Sequence, residues 1–103
     1  MFVVIYHWKL KEGKDLEFGE AWRQTTRAIY SKKGSLGSQL MQATDGTYYG
    51  VARWPSRDLW LVRSNPEPAH PLASQVMADL IETTFSAVEL DVTDDMLATE
   101  QHT

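Results

Sequence analysis

The 103-residue chain contains no cysteine. That absence excludes disulfides, thiolate metal sites and cysteine nucleophiles, and it suits a reducing cytoplasm. No apolar run is long enough to cross a membrane, so no membrane partner is expected. Residues 1–10 are rich in apolar side chains, but they alternate and run into Lys9 and Lys11, which reads as a strand rather than a signal peptide. Basic charge is scarce: ten Lys and Arg against fourteen Asp and Glu give a formal net charge of −4. No basic patch stands out, and no nucleic-acid partner is expected. Arg23, Arg27, Lys32 and Lys33 share a predicted helix with Asp15, Glu17 and Glu20, which makes a solvated mixed-charge face. The three histidines show no metal-ligand spacing, so no metal site is expected. Gly34-Ser35-Leu36-Gly37-Ser38 lacks the lysine of a phosphate loop, and no Ser-His-Asp order suggests a triad.

What the chain does have is large aromatics in alternating and helical patterns. Residues 2–11 put Phe2, Val4, Tyr6, Trp8 and Leu10 on one strand face and Val3, Ile5, His7, Lys9 and Lys11 on the other. Both faces are apolar near the N-terminus, so helices are expected over one and another layer, a second copy of the sheet, over the other. A helix is predicted from Lys14 to Lys32 on the spacing of Phe18, Trp22, Thr25 and Ile29, with Gly34 as its stop. Residues 36–43 and 47–54 form a hairpin around Asp45-Gly46, the strongest short turn signal in the chain.

The run Trp54-Pro55-Ser56-Arg57-Asp58-Leu59-Trp60 ends the second hairpin strand. Proline cannot donate to a sheet ladder, Ser56 can cap a helix, and Trp60 then points back toward Trp54. A short helical piece to about Ser64 is followed by Asn65-Pro66-Glu67-Pro68-Ala69-His70-Pro71, which holds three of the four prolines. This segment is expected to act as a lid. A helix from Pro71 to about Thr83, with Leu72, Val76, Met77, Leu80 and Ile81 as its apolar stripe, and a last strand over 84–92 complete the order βαββαβ. The fold class is α+β, ferredoxin-like, with an antiparallel sheet and both main helices on one face. One domain over residues 1–93 is expected, with an acidic tail over 94–103 in which Met96 and Leu97 are candidates for docking on a partner.

Val4-Ile5-Tyr6-His7-Trp8, Phe18 with Ala21-Trp22, the Gly34–Ser38 entry to the hairpin, Asp45-Gly46 and the Trp54–Trp60 run together resemble the antibiotic biosynthesis monooxygenase family of dimeric α+β barrels. The resemblance covers the chain to about residue 63. It implies a cytoplasmic homodimer joined through the open sheet faces, with a pocket for a small aromatic molecule between each sheet and its helices. It also implies a cofactor-independent monooxygenase acting on an aromatic, polyketide-like or quinol-type compound. In that chemistry the substrate is deprotonated and its anion gives an electron to O2, so the protein supplies a dry aromatic cavity, an anion-stabilising donor and a base.

His7, His70 and Trp60 are the expected catalytic residues, with His7 the preferred base or anion stabiliser. Trp60, Tyr6, Tyr48, Tyr49, Arg53 and Trp22 are the expected substrate contacts. The bland alternatives are a core or rim role for His7, a cap for His70, core packing for Trp60, and an Arg53 ion pair with Glu89 or Asp91. The competing function is a non-catalytic, ligand-binding or stress-related dimer. The third is haem binding and degradation, since Trp60 and His70 have a spacing similar to that of the haem-degrading branch. Against it, His7 stands where that branch has asparagine, and Pro68 and Pro71 flank His70 where it continues a helix.

Overall fold

The computed structural model describes residues 1–98. The elements run β1 (Phe2–Leu10), α1 (Asp15–Lys33), β2 (Gly37–Gln42), β3 (Tyr48–Trp54), α2 (Arg57–Leu61), α3 (Pro71–Leu80), β4 (Ile81–Thr84) and β5 (Val88–Asp91). They form one antiparallel sheet in the order β2-β3-β1-β4, with β5 also paired to β1. The α+β, ferredoxin-like expectation is met.

Alternation along β1 decides what lies on each side of the sheet. Phe2, Val4 and Trp8 turn toward the helices and are buried. Cross-strand pairing carries this division outward, because opposed residues share a face. Tyr6 faces Gly50 and Val4 faces Ala52 on the helix side; His7 faces Tyr49 and Val3 faces Arg53 on the other. The hairpin tip follows its turn chemistry. Gly46 takes φ 90°, and Asp45 Oδ1 accepts from Thr47 N (2.9 Å) and Thr47 Oγ1 (2.7 Å).

Two helix ends behave as their sequences require. Gly34 closes α1 in the left-handed conformation at φ 82°. Ser56 caps α2, its hydroxyl accepting from Leu59 N at 3.3 Å. Trp60, one turn into that helix, packs against Phe2 with ring centroids 5.6 Å apart and shares a core with Val4, Ala52 and Trp54. A second core joins Trp8, Phe18 and Leu80.

The C-terminal third departs from the expected outline. Helix α3 ends at Leu80, not Thr83, because Ile81 is already extended opposite Leu10 of β1. The β-branched Ile81, Thr83 and Thr84 favour the pleated edge over another helical turn. The single last strand is two: β4 pairs with Trp8–Leu10 and β5 with Phe2–Ile5. Between them Phe85 N still donates to His7 O at 2.9 Å. The buried face of α3 is Ala73, Met77 and Leu80, while Leu72 and Val76 of the expected stripe are exposed. In the tail, Asp94–Leu97 border a groove with Met1, Val3 and Arg53. The rest of the expected tail, 99–103, lies outside the described residues.

Candidate functional site

A cavity of about 150 Å³ lies between the sheet and the helices. Its floor is the helix-side face of β1 and β3, where Tyr6, Trp8, Gly50, Ala52 and Trp54 meet. Its roof is α1, through Trp22, Thr25, Thr26 and Ile29, with Met77 of α3 beside them. Ser35, Ser38 and Arg63 complete the wall.

The floor depends on Gly50. A Cβ there would stand 2.8 Å and 2.9 Å from two ring atoms of Trp8, so only bare backbone admits the indole. Trp8 in turn stacks on Tyr6, the rings 5.6 Å apart and 5° from parallel. Trp60 Nε1 donates to the Tyr6 hydroxyl at 3.0 Å. A phenol that accepts from an indole keeps its own proton free to donate, so Tyr6 is a donor oriented from behind. Arg63 lies over the Trp60 ring, 4.3 Å from its centroid, and donates from Nη1 to Trp60 O at 2.9 Å. Two buried polar atoms, Thr25 Oγ1 and Trp54 Nε1, have no protein partner among the described residues.

The expected site residues divide between two sides of the sheet. Tyr6 and Trp22 line the cavity; Trp60 stands behind Tyr6 without lining it. His7 does not reach this space, because an odd position of β1 faces the open side. There its ring lies between Tyr49 (4.0 Å) and Phe85 (4.3 Å). Its Nε2 meets Thr47 Oγ1 at 2.9 Å. Thr47 gives its only hydroxyl proton to Asp45, so it accepts from His7, and this fixes the proton on Nε2. These Thr47 bonds also hold the Asp45 carboxyl below its ordinary value.

His70 is equally distant in role. Its Nδ1 accepts from Ala73 N at 3.1 Å as the cap of α3, and the ring borders an outer groove between α1 and α3 with Glu17, Glu20 and Gln24. The expectation that His7, Trp60 and His70 line one pocket is therefore not met. Tyr48 donates to Asp15 Oδ2 at 2.7 Å, and that bond raises its pKa above the ordinary phenol value. Arg53 and Tyr49 lie on the open face. Arg53 reaches Gln39 Oε1 at 3.4 Å, and Glu89 pairs instead with Arg57 at 3.0 Å, so the expected Arg53 ion pair does not form.

Sequence reasoning missed Arg63, Ser38 and Met77 as cavity residues. Arg63 carried a faint signal, since it follows Trp60 by three residues, the spacing at which side chains on one helical turn meet. The proline-rich connection, Asn65–Pro71, contributes no residue to the lining; Arg63 precedes it. The connection is strapped to the end of α1: Lys32 Nζ donates to Ala69 O (2.9 Å), and Lys33 Nζ to Asn65 O (3.1 Å) and Glu67 O (2.7 Å). No helix among the described residues is long and apolar enough to cross a membrane.

The fold recurs in solved structures. SnoaB, a cofactor-independent oxygenase from Streptomyces nogalater, superposes with a TM-score of 0.75 at 15% identity, over 92% of this chain and 95% of its own. Rv0793 from Mycobacterium tuberculosis gives 0.72 at 14% identity, over 93% and 98%. A conserved protein from Methanosarcina mazei gives 0.69 at 12% identity, over 86% and 89%. No curated protein matches the chain in sequence. The family model for antibiotic biosynthesis monooxygenases matches residues 1–66, the stretch that builds β1 through α2 and most of the cavity, and the chain belongs to that family.

Proposed function

We propose that the protein is a cofactor-independent monooxygenase that oxidises an aromatic, polyketide-like or quinol-type compound in the helix-side cavity. One observation carries this reading: Tyr6, with its proton left free by the Trp60 bond, opens into a space walled by Trp8, Trp22 and Trp54. Such a site favours formation of a delocalised substrate anion, because a preorganised donor in a water-poor cavity stabilises negative charge strongly. The substrate's proton leaves to solvent, the anion passes one electron to O2, and the radical pair combines to a peroxide anion that takes a proton back. For a CH2 centre, loss of water then leaves a carbonyl. One oxygen atom ends in the product, the other in water, and the substrate supplies every electron. Similarity to SnoaB supports the same class.

In this reading Tyr6 is the anion-stabilising donor, Trp60 its positioning residue, and Trp22 a substrate contact. His7 lies on the other face and takes no part in this step. The open face carries Ile5, Val51, Val88 and Leu90, with Val88 and Leu90 exposed, and it is the surface on which a second copy would pack to form the homodimer. Haem fits the residues poorly. His70 spends Nδ1 on a helix cap outside the cavity, and about 150 Å³ is far too small for a porphyrin without rebuilding the walls.

A second reading has its own support: among the described residues the cavity lining contains no histidine and no carboxylate, so a non-catalytic carrier of a small aromatic ligand is the competitor. Oxygen uptake by the purified protein on single-ring quinol and phenol substrates, beside Tyr6→Phe and His7→Ala variants, separates them. Cofactor-free turnover that falls at least tenfold in Tyr6→Phe and survives His7→Ala is the expected result. Ligand binding without uptake above the spontaneous rate would favour the carrier.

A further inference from the structure

Arg63 is, among the described residues, the only charged side chain in the cavity lining. Among the described residues no carboxylate lies within ion-pair distance of it; the ion pairs join Lys9 to Glu82, Lys14 to Glu17, Arg23 to Glu20 and Arg57 to Glu89. A half-buried arginine without a counter-charge gives up part of its hydration and gains most when an anion meets it. Yet the group is held in place. Trp60 supports its face at 4.3 Å and accepts one of its protons through the backbone carbonyl, which leaves four of five donors uncommitted.

The rest of the lining is sorted by polarity along the strands. At one end of β3, Trp54 and Ala52 stand beside Ser38 of β2, and Arg63 joins this end through Trp60, whose ring it covers and which packs with Ala52 and Trp54. Ser35 is committed to the turn, donating to Arg53 O at 3.3 Å and accepting from Gly37 N at 3.0 Å, so Ser38 offers the free hydroxyl. At the other end Trp8, Trp22 and Met77 pack with the core around Phe18 and Leu80. The cavity is thus apolar and flat-walled at one end and cationic at the other.

We propose that the ligand of this cavity is an aromatic anion: a planar apolar body against Trp8, Trp22 and Met77, and a carboxylate or equally acidic oxyanion on Arg63 beside Ser38. A space of about 150 Å³ holds about one aromatic ring, so the ligand is compact, with its charged end toward Arg63 and Ser38. Arg63 is the specificity-determining residue, because a neutral analogue leaves the cation unmet. This assignment rests on the cavity being the substrate site, and not on the oxygen chemistry.

Calorimetric titration with benzoate and its neutral isostere benzamide tests it. The wild-type protein is expected to bind the anion at least about tenfold tighter than the amide, the scale of a hydrogen bond to a charged group. Arg63→Gln abolishes that preference and Arg63→Lys retains part of it, with circular dichroism confirming that both variants keep the fold. Equal binding of the two probes, binding of neither, or a preference untouched in Arg63→Gln overturns the assignment. Failure of oxygen uptake alongside an intact Arg63-dependent preference overturns only the monooxygenase reading.

Discussion

Trp8 sets one edge of its indole against Gly50: a side chain there would begin 2.8 Å from the ring. The contact links the second core to the cavity floor, because a face of Trp8 stacks on Tyr6. Gly50→Ala must displace the ring, and small-to-large changes in a packed core cost about 1–3 kcal/mol. The displaced indole also enters the cavity, so ligand affinity should fall with stability. Gly19 of α1 gives the opposite sign. A Cβ there meets only Arg23 Nη1 at 3.6 Å, and helix propensity favours alanine by about 0.5–1 kcal/mol. Urea denaturation of the two variants should move the midpoint in opposite directions; a neutral Gly50→Ala would mean that Trp8 has room to move.

Tyr6 and Trp60 are 54 positions apart in sequence and joined by a 3.0 Å hydrogen bond at the edge of the cavity. A neutral bond of this kind contributes about 1 kcal/mol net. A double-mutant cycle of Tyr6→Phe and Trp60→Phe should therefore show a coupling near that value in stability. Activity should behave differently. Tyr6→Phe removes the donor itself and Trp60→Phe only its orientation, so kcat falls more in the first variant, and the second falls little once Tyr6 is already gone. Independent, multiplicative losses in kcat would separate the two residues functionally.

The outline of the fold was legible because local signals agreed with the tertiary demand. Alternation in β1 divided the sheet faces correctly, and Gly34, Asp45-Gly46 and Ser56 ended or turned the chain where their conformational preferences require. Ile81 was misplaced because its apolar character suits either a helix stripe or a strand, and only pairing with Leu10 decides between them. The site was less legible. His7 was assigned correctly to a face, but alternation does not say on which side of the sheet a cavity opens. Arg63 follows the last turn of a five-residue helix, and its approach to the cavity depends on where Trp60 packs. His70 resembled a ligand by spacing, but its position before Pro71 makes it a helix cap.

Lys33 donates to two carbonyls of the proline-rich connection and Lys32 to a third, so the strap depends on two ammonium groups and little apolar burial. Only Ala69 of residues 64–69 is buried. Lys33→Met keeps the aliphatic stem and removes the donor. Global stability should change by less than about 1 kcal/mol, while amide exchange across the non-proline residues of 64–70 rises severalfold. Unchanged exchange would show that Lys32 and the prolines hold the strap alone.

On the open face, Asp45, Thr47 and His7 form a chain of two hydrogen bonds. The Asp45 carboxyl is held below its ordinary value chiefly by the Thr47 hydroxyl, then by the Thr47 backbone N–H. A carboxyl whose pKa is lower folded than unfolded adds stability above the unfolded value and loses it as pH falls through the folded one. The hairpin tip should therefore loosen only in acid, below the usual carboxylate range. Thr47→Val removes the hydroxyl and keeps the backbone donor, so the Asp45 midpoint, followed by carboxyl carbon NMR, should rise toward its ordinary value without fully reaching it. The same variant removes the acceptor that fixes His7 on its Nε2–H form, so nitrogen NMR of the neutral imidazole should show a mixture of tautomers where the wild type shows one. An Asp45 midpoint unmoved by Thr47→Val, with His7 still a single tautomer, would mean that the bonds among these three side chains do not persist in solution, and that stacking between Tyr49 and Phe85 alone orients the histidine.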